Sequence, residues 1–383
     1  MTDNADFSTS APLPIRLGFV PLTDCAPLVA ARKLGLDRAH GLDFQLQRQP
    51  SWAAVRDKLI AGQLDAAQAL YGLVYGMQLG LSGPQCDMAI LMTLNQNGQG
   101  ISLAPPLAEQ WRAGVGLAAI ARRLGRPLVL AHTFPTGTHA MWLYYWLAAQ
   151  GVHPFRDVKC VVIPPPQMSQ AMQAGMLDGF CAGQPWHAVA ERDGVAVPVA
   201  DSSSIWLDHP EKVLTCRRDM ARQRPLLAQR LIQVLLLACR WLDRLENRAQ
   251  AAAWLAEDDY LAMPAALILR HWPNRAPQSG DLRFCDEGRV NFPYRSDGLW
   301  FLQQYRRWGM WQGEPGAEWV DPLNQTELYR AAAGLCGLPL PDSADRDGVL
   351  MDDMTGPTMF AAPHNAGANR GADALLQCIN RRS

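Results

Sequence analysis

What this sequence lacks narrows its function before any motif is read. It has no block of lysines or arginines, and 35 basic against 36 acidic side chains leave a formal net charge of −1. A general basic field is absent, so direct nucleic-acid binding is not expected. No apolar run is long enough to span a bilayer, and no membrane insertion is expected. The run Leu231 to Cys239 is bounded by arginines and reads as a buried helix. Met1 to Pro14 has neither the basic nor the apolar region of a secretory signal, which sets the expectation of a cytoplasmic protein. None of the nine cysteines forms a CxxC pair, and the odd count fits reduced thiols better than a disulfide framework. A GxSxG elbow, a Walker loop and a GxGxxG turn in strand–helix context are all missing, so neither a hydrolase nor a nucleotide enzyme is indicated and no cofactor is expected. His132 and His139 are separated by a loop, and no second histidine follows His139 at helical spacing, so a metal site has no support.

What is present is a chain built for a substantial core. Hydrophobic residues make up 49% and charged residues 19% of the 383 positions. That length suggests two domains, and that composition excludes global disorder. After a polar leader (1–13), Ile15 to Pro21 alternates and reads as a strand. Ala26 to Leu34 reads as a helix, Leu42 to Gln47 as a strand, Trp52 to Ala61 as a helix and Leu64 to Ala69 as a strand. This β-α-β-α-β order implies a parallel sheet covered by helices. The pattern restarts at Arg126 to Ala131, with a helix over His139 to Gln150, a strand over Val158 to Pro164, a helix over Gln167 to Ala174 and a short strand to Ala182. Each half closes on a Gly-x-Leu-Asp element, at Gly62 and at Gly175. Beyond Lys212 helices dominate, clearest over Pro225 to Glu246, Ala249 to Leu255 and Ser296 to Trp308; from Leu338 the chain reads as an extended tail.

The candidate chemistry lies in donors rather than in nucleophiles. Thr133 to His139 joins a strand to a helix, with Gly137, Thr138 and His139 at the helix mouth. Free N–H groups and a partial positive charge make such a mouth a ready site for a small anion. Trp52 follows Ser51 at another helix start, and its indole N–H donates without accepting. Gln99 lies in a polar, glycine-bearing loop, Gln184 stands before a proline, and Lys212 is a cation in His209 to Leu214. Each has a plain alternative: Trp52 a core aromatic, Gln99 and Gln184 turn residues, Lys212 a solvated lysine. Taken together they compose a site for a small oxyanion, which needs converging donors and one compensating charge. Carboxylates are sparse in these segments apart from Asp24 and Glu211.

Eight ordered segments carry a resemblance: Phe19 to Pro27, Ser51 to Asp57, Asn97 to Ile101, Gly137 to His139, Val162 to Met168, Gly183 to Trp186, His209 to Leu214 and Phe292 to Asp297. Together they resemble the nitrate/bicarbonate solute-binding proteins of ABC transporters, over roughly Ile15 to Asp352. The resemblance implies an α/β clamshell of the periplasmic-binding-protein type (type II). Each of its two lobes is a mostly parallel sheet flanked by helices, with ligand held between them and no catalysis. The expected division is 14–104 with 208–337 as one lobe, 105–207 as the other, and 338–383 as the tail. Nitrate-binding members line their pocket with residues matching Trp52, Gln99, His139 and Lys212. Where the family usually has Gly-Glu-Pro-Trp, this chain has Gln184, which removes a negative charge near the pocket. Lys212 favours an unprotonated oxyanion, nitrate or nitrite, over bicarbonate. Without a secretory signal the chain looks most like the cytoplasmic nitrate/nitrite sensors of the NasS type. These control nitrate assimilation genes by ligand-dependent binding of an ANTAR-domain antiterminator (NasT type), and the tail around Asp342 to Phe360 is a candidate contact. The alternative is the solute-binding component of a nitrate, nitrite or bicarbonate importer. A thiamine-pyrimidine synthase shares the clamshell, but its cysteine-rich iron motif is absent.

Overall fold

Strand β1 (Leu13–Phe19) pairs in parallel with β2 (Leu42–Arg48) and β3 (Ala66–Leu70). The computed structural model describes residues 11–346. Most of the leader (1–13), and the tail beyond residue 346 with most of its candidate contact, lie outside the described residues. Strands β4 (Met88–Gln96), β5 (Gln99–Leu103), β6 (Leu128–His132), β7 (Val158–Val162), β8 (Gly179–Gly183), β9 (Val197–Asp201) and β10 (Pro210–Arg217) complete two five-stranded sheets. The first has the order β2-β1-β3-β10-β4, the second β7-β6-β8-β5-β9. In each, three parallel strands are followed by one antiparallel strand that comes from a distant part of the chain, β10 in the first and β5 in the second. The result is a two-lobe α/β clamshell.

The paired Gly-x-Leu-Asp elements play the same part in both lobes. Gly62 and Gly175 each take a left-handed conformation (φ +67° and +66°) just after a helix. Glycine is favoured there because it has no Cβ to clash. Asp65 then receives the backbone N–H of Arg16 at 2.8 Å and its guanidinium at 2.7 Å. Asp178 likewise receives the N–H of Val129 at 2.7 Å and the guanidinium of Arg126. Each aspartate thereby ties the third strand of its sheet to the first.

One expected boundary moves. Residues through 104 were assigned to the first lobe, yet β5 pairs with β8 and β9 in the second sheet. The chain changes sheets at Asn97 and Gly98, both at positive φ. It returns through Asp208, also at positive φ, just before β10. The two crossings are bonded together: Asn97 Nδ2 donates to Asp208 Oδ1 at 3.0 Å, and Asp208 N donates to Asn97 Oδ1 at 3.0 Å. Arg346, at the end of the described chain, bonds Asp297 Oδ1 and the Asp208 carbonyl, both at 2.7 Å.

The expected core helix is observed over Pro225–Leu242, with proline in its first turn. Leu231, Ile232, Val234, Leu235 and Leu236 are buried, packing with the helices Ala26–Lys33 and Thr326–Leu335. Burial of such side chains is worth about 1.5–3 kcal/mol each. Helix Thr138–Ala149 is buried along its whole length. It is apolar on every face because the Trp300 ring also packs on it, at 4.8 Å from Trp142.

Candidate functional site

The polar residues singled out in the sequence gather at the carboxyl ends of the parallel strands of both sheets, where open α/β sheets hold ligands. Ser51 caps the helix Trp52–Ile60, its Oγ accepting from Ala54 N at 3.2 Å, and this sets Trp52 in the first helical position. Gly137 is the N-cap of Thr138–Ala149, so Thr138 and His139 occupy its first turn. A Cβ on Gly137 would lie 2.5 Å from Leu70 Cδ1, so glycine permits the close approach of this helix end to β3. Gln99 opens strand β5 and does not lie in the loop that the sequence indicated, and Lys212 lies within β10, a strand that was not expected. Periodicity missed both because these strands are buried on both faces and so show no alternation. Gln184 follows β8 with a cis bond to Pro185.

Contacts across the cleft seal it. Thr23 N donates to the Gln184 carbonyl, and Trp186 Nε1 to the Pro21 carbonyl, each at 2.8 Å. A pocket of about 360 Å³ remains at the mouth, lined by Pro21, Arg48, Gln49 and Pro50 on one side and Pro164, Pro166 and Gln167 on the other. A larger groove of about 740 Å³ on another face, lined by Arg240, Arg248 and Leu338 among others, contains none of the cleft residues.

Inside, His139 Nε2 meets Gln99 Oε1 at 2.7 Å, and its Nδ1 meets Thr133 Oγ1 at 2.5 Å. Gln99 Nε2 donates to the Asn97 carbonyl at 3.1 Å and to Asp24 Oδ2 at 3.3 Å. Lys212 Nζ stands 5.7 Å from the centre of the Trp52 ring. Trp52 Nε1 is buried and has no hydrogen-bond partner among the described residues; Thr23 Oγ1 and Gln184 Oε1 share that state. Trp52, Gln99, Thr138, His139 and Lys212 thus converge, with Gln184 on the seam between the lobes.

The charge balance differs from the expectation. Lys212 was to be a lone compensating cation, but its ammonium lies 2.8 Å from Asp24 Oδ2 and 2.9 Å from Glu211 Oε1. Glu211 also accepts from Thr138 Oγ1, and from Trp142 Nε1 at 3.0 Å. A carboxylate of the chain itself therefore sits by the first turn of the helix that the sequence marked as an anion site. Asp24 and Glu211 were the two carboxylates standing in otherwise donor-rich segments, and that exception was the available signal. Gln68, which donates to Asp24 Oδ1 at 2.6 Å, had none.

Burial opposes the charge on Lys212, but Asp24 and Glu211 more than offset it and raise its pKa above the ordinary lysine value. Burial raises the Asp24 carboxyl; Lys212 opposes that shift and Glu211 reinforces it. The histidines move the other way. Burial, then Lys212, holds His139 well below the usual range, and burial pushes His209 down to about 3 and His132 and His187 to about 4. The site is a buried array of amides and neutral imidazoles around the Lys212 ammonium and the carboxyl groups of Asp24 and Glu211.

The family model described as the NMT1-like family matches residues 9–256. The chain belongs to this family. This NMT1-like chain is 36% identical over 369 residues to the nitrate/nitrite binding protein NrtA of Synechococcus elongatus, covering 88% of this chain and 83% of that protein. It is 30% identical over 358 residues to the bicarbonate-binding protein CmpA of a Synechococcus species, covering 86% and 79%. Among solved structures it is similar to the periplasmic nitrate-binding protein NrtA from Synechocystis. The TM-score is 0.82 at 31% identity, over 88% of this chain and 94% of that one. These relatives place the NMT1-like chain with the nitrate/bicarbonate solute-binding proteins of ABC transporters. Such proteins bind and do not catalyse, which sets aside the pyrimidine-synthase reading.

Proposed function

We propose that the chain closes its cleft on one small oxyanion, nitrate or nitrite, as the recognition component of an ABC importer. The observation that carries this reading is the Trp52 indole N–H, a buried donor without a partner among the described residues, beside the Lys212 ammonium. A buried donor left unmade costs about 1–3 kcal/mol, which an oxyanion oxygen removes. The names of the NrtA relatives supply the ligand class. Trp52, Gln99, Gly137, Thr138, His139, Gln184 and Lys212 are the proposed ligand set. Closure on ligand is a two-state change biased by differential affinity, with Asn97 and Asp208 as the hinge.

Calorimetric titration with nitrate, nitrite and bicarbonate separately tests the reading. Heat from nitrate or nitrite is the expected result. Heat from bicarbonate alone, or from none of the three, overturns it.

A second reading is the cytoplasmic sensor that binds an ANTAR-domain antiterminator in a ligand-dependent way. It draws support from eight free cysteines among the described residues, of which Cys86, Cys160 and Cys336 are partly exposed. Free thiols suit a reducing compartment. Capture of such an antiterminator that changes with nitrate would favour the sensor; nitrate-dependent docking on importer membrane subunits would favour the transporter component.

A further inference from the structure

We propose that Asp24 is a further ligand-binding residue of this cleft, and that it takes up one proton when the oxyanion enters. This rests on the oxyanion reading above and deepens it.

The argument is one of charge in a buried space. Asp24 and Glu211 both contact the Lys212 ammonium, at 2.8 and 2.9 Å, and the Lys212 and Glu211 side chains are fully buried with Asp24 only 3% exposed. With both carboxyl groups ionised, one positive and two negative charges would sum to −1 before any ligand arrives. A monovalent oxyanion would bring the sum to −2 among buried side chains, and Coulomb repulsion grows as the local dielectric falls. One proton on Asp24 keeps the liganded cleft at −1. The proton comes from the buffer acid through solvent as the lobes close: an O–H or N–H bond of that acid breaks and leaves its conjugate base in solution, an O–H bond forms on Oδ2, and nothing is oxidised or reduced. The neutral carboxyl then donates toward an oxyanion oxygen and ceases to compete for the Lys212 N–H groups.

Asp24 suits this role better than its neighbours. Glu211 accepts from Thr138 Oγ1, Trp142 Nε1 and Lys212 Nζ, donors on two separate elements. His139 has both ring nitrogens engaged, by Gln99 and Thr133, and its Nε2 lies 3.5 Å from Glu211 Oε1. His209 faces Glu211 at 3.6 Å, and its other ring nitrogen meets Ser202 Oγ at 2.7 Å. Around Asp24 itself stand Lys212 and Glu211 from β10, the amides of Gln68 from β3 and Gln99 from β5, and the adjacent Cys25 thiol. Burial and Glu211 both favour the protonated form of Asp24, with Lys212 as the opposing influence.

The test titrates the full chain with nitrate at pH 8 in phosphate and in Tris, whose ionisation heats differ. The difference in observed heat counts protons taken up. One proton per nitrate is expected, with affinity rising by up to about tenfold per pH unit as pH falls. Asp24→Asn, neutral at every pH and close in shape, should lose the uptake, show a flat pH profile and bind more tightly than wild type at pH 8.5. Nitrate binding by the wild type with no proton uptake and a flat profile from pH 6 to 9 overturns this inference and leaves the oxyanion reading standing. Uptake retained in Asp24→Asn moves the proton to another group, His139 first, and overturns it also. No heat from any oxyanion at any pH overturns the underlying reading and this one with it. If Asp24→Asn does not fold, Asp24→Ser, also neutral at every pH, takes its place with the same expected and overturning results.

Discussion

Replacing Lys212 by methionine keeps the unbranched stem, shorter by one atom, and removes its charge. In the folded protein this ammonium bridges Asp24 and Glu211, so the substitution leaves two buried carboxylates side by side. Breaking one buried pair costs about 3–5 kcal/mol, because the surviving charge stays desolvated. Whole-protein stabilities are about 5–15 kcal/mol, so the loss is a large share of the total. Lys212 is thus a structural residue as well as a proposed ligand, and Lys212→Met should lose fold stability together with nitrate binding. The sign with pH follows from Asp24. Its folded pKa is already raised by burial, and removing Lys212 raises it further. A raised folded pKa gives stability at low pH that is lost as pH rises through it, so the deficit of Lys212→Met should grow from pH 5 to pH 8. Urea unfolding followed by tryptophan fluorescence measures it, and Lys212→Met with Asp24→Asn should regain part of the loss by removing one orphaned charge. Unfolding of Lys212→Met at the wild-type midpoint across that range would refute the buried triad.

Trp52→Phe retains the ring beside Lys212 and loses the N–H, so nitrate affinity should fall by about 1.5–3 kcal/mol with little change in unfolding midpoint; an unchanged dissociation constant would show that Trp52 only packs. Gly183→Ala would place a Cβ 2.5 Å from Gln99 Oε1 and 2.8 Å from Leu22 Cδ2. It should displace Gln99 and destabilise the seam by about 1–3 kcal/mol, seen as weaker nitrate binding and earlier urea unfolding; wild-type behaviour in both would contradict the packing. Acid should weaken the fold. His132, His187 and His209 have folded values near 4, 4 and 3, so the folded state binds fewer protons than the unfolded chain below pH 6.5. Their stability is present above about pH 6.5 and lost toward pH 4, while Asp297, raised to about 6 by burial, acts in the opposite sense. Thermal midpoints should therefore fall between pH 6.5 and 4, and midpoints constant over that range would show that the histidines are not buried as described.

The five alternating strands and helices at the start of each half were legible because periodicity reports which side of an element meets the core. The Gly-x-Leu-Asp elements at Gly62 and Gly175 were legible because a glycine after a helix and an aspartate before a strand are local devices. Helices Tyr71–Leu79 and Pro105–Arg112 were not read: the first is apolar on most faces and shows no clear stripe, and the second spans only eight residues. The donors Trp52, Gln99, His139 and Lys212 stood out by residue type and by family resemblance. Their surroundings did not.

By itself the sequence determined the α/β grammar, the helix starts that carry Trp52 and His139, and the set of polar residues available to a cleft. Tertiary structure alone decided that β5 joins the second sheet, and that Lys212 meets Asp24 as well as its neighbour Glu211. It also decided that Gln99 lies between His139 and Asp24. The reason is physical. Element formation depends on side chains within a few residues of one another, whereas strand order and the pairing of buried charges depend on groups far apart in the chain. Those become neighbours only once each sheet has assembled, and across the cleft only when the lobes have closed.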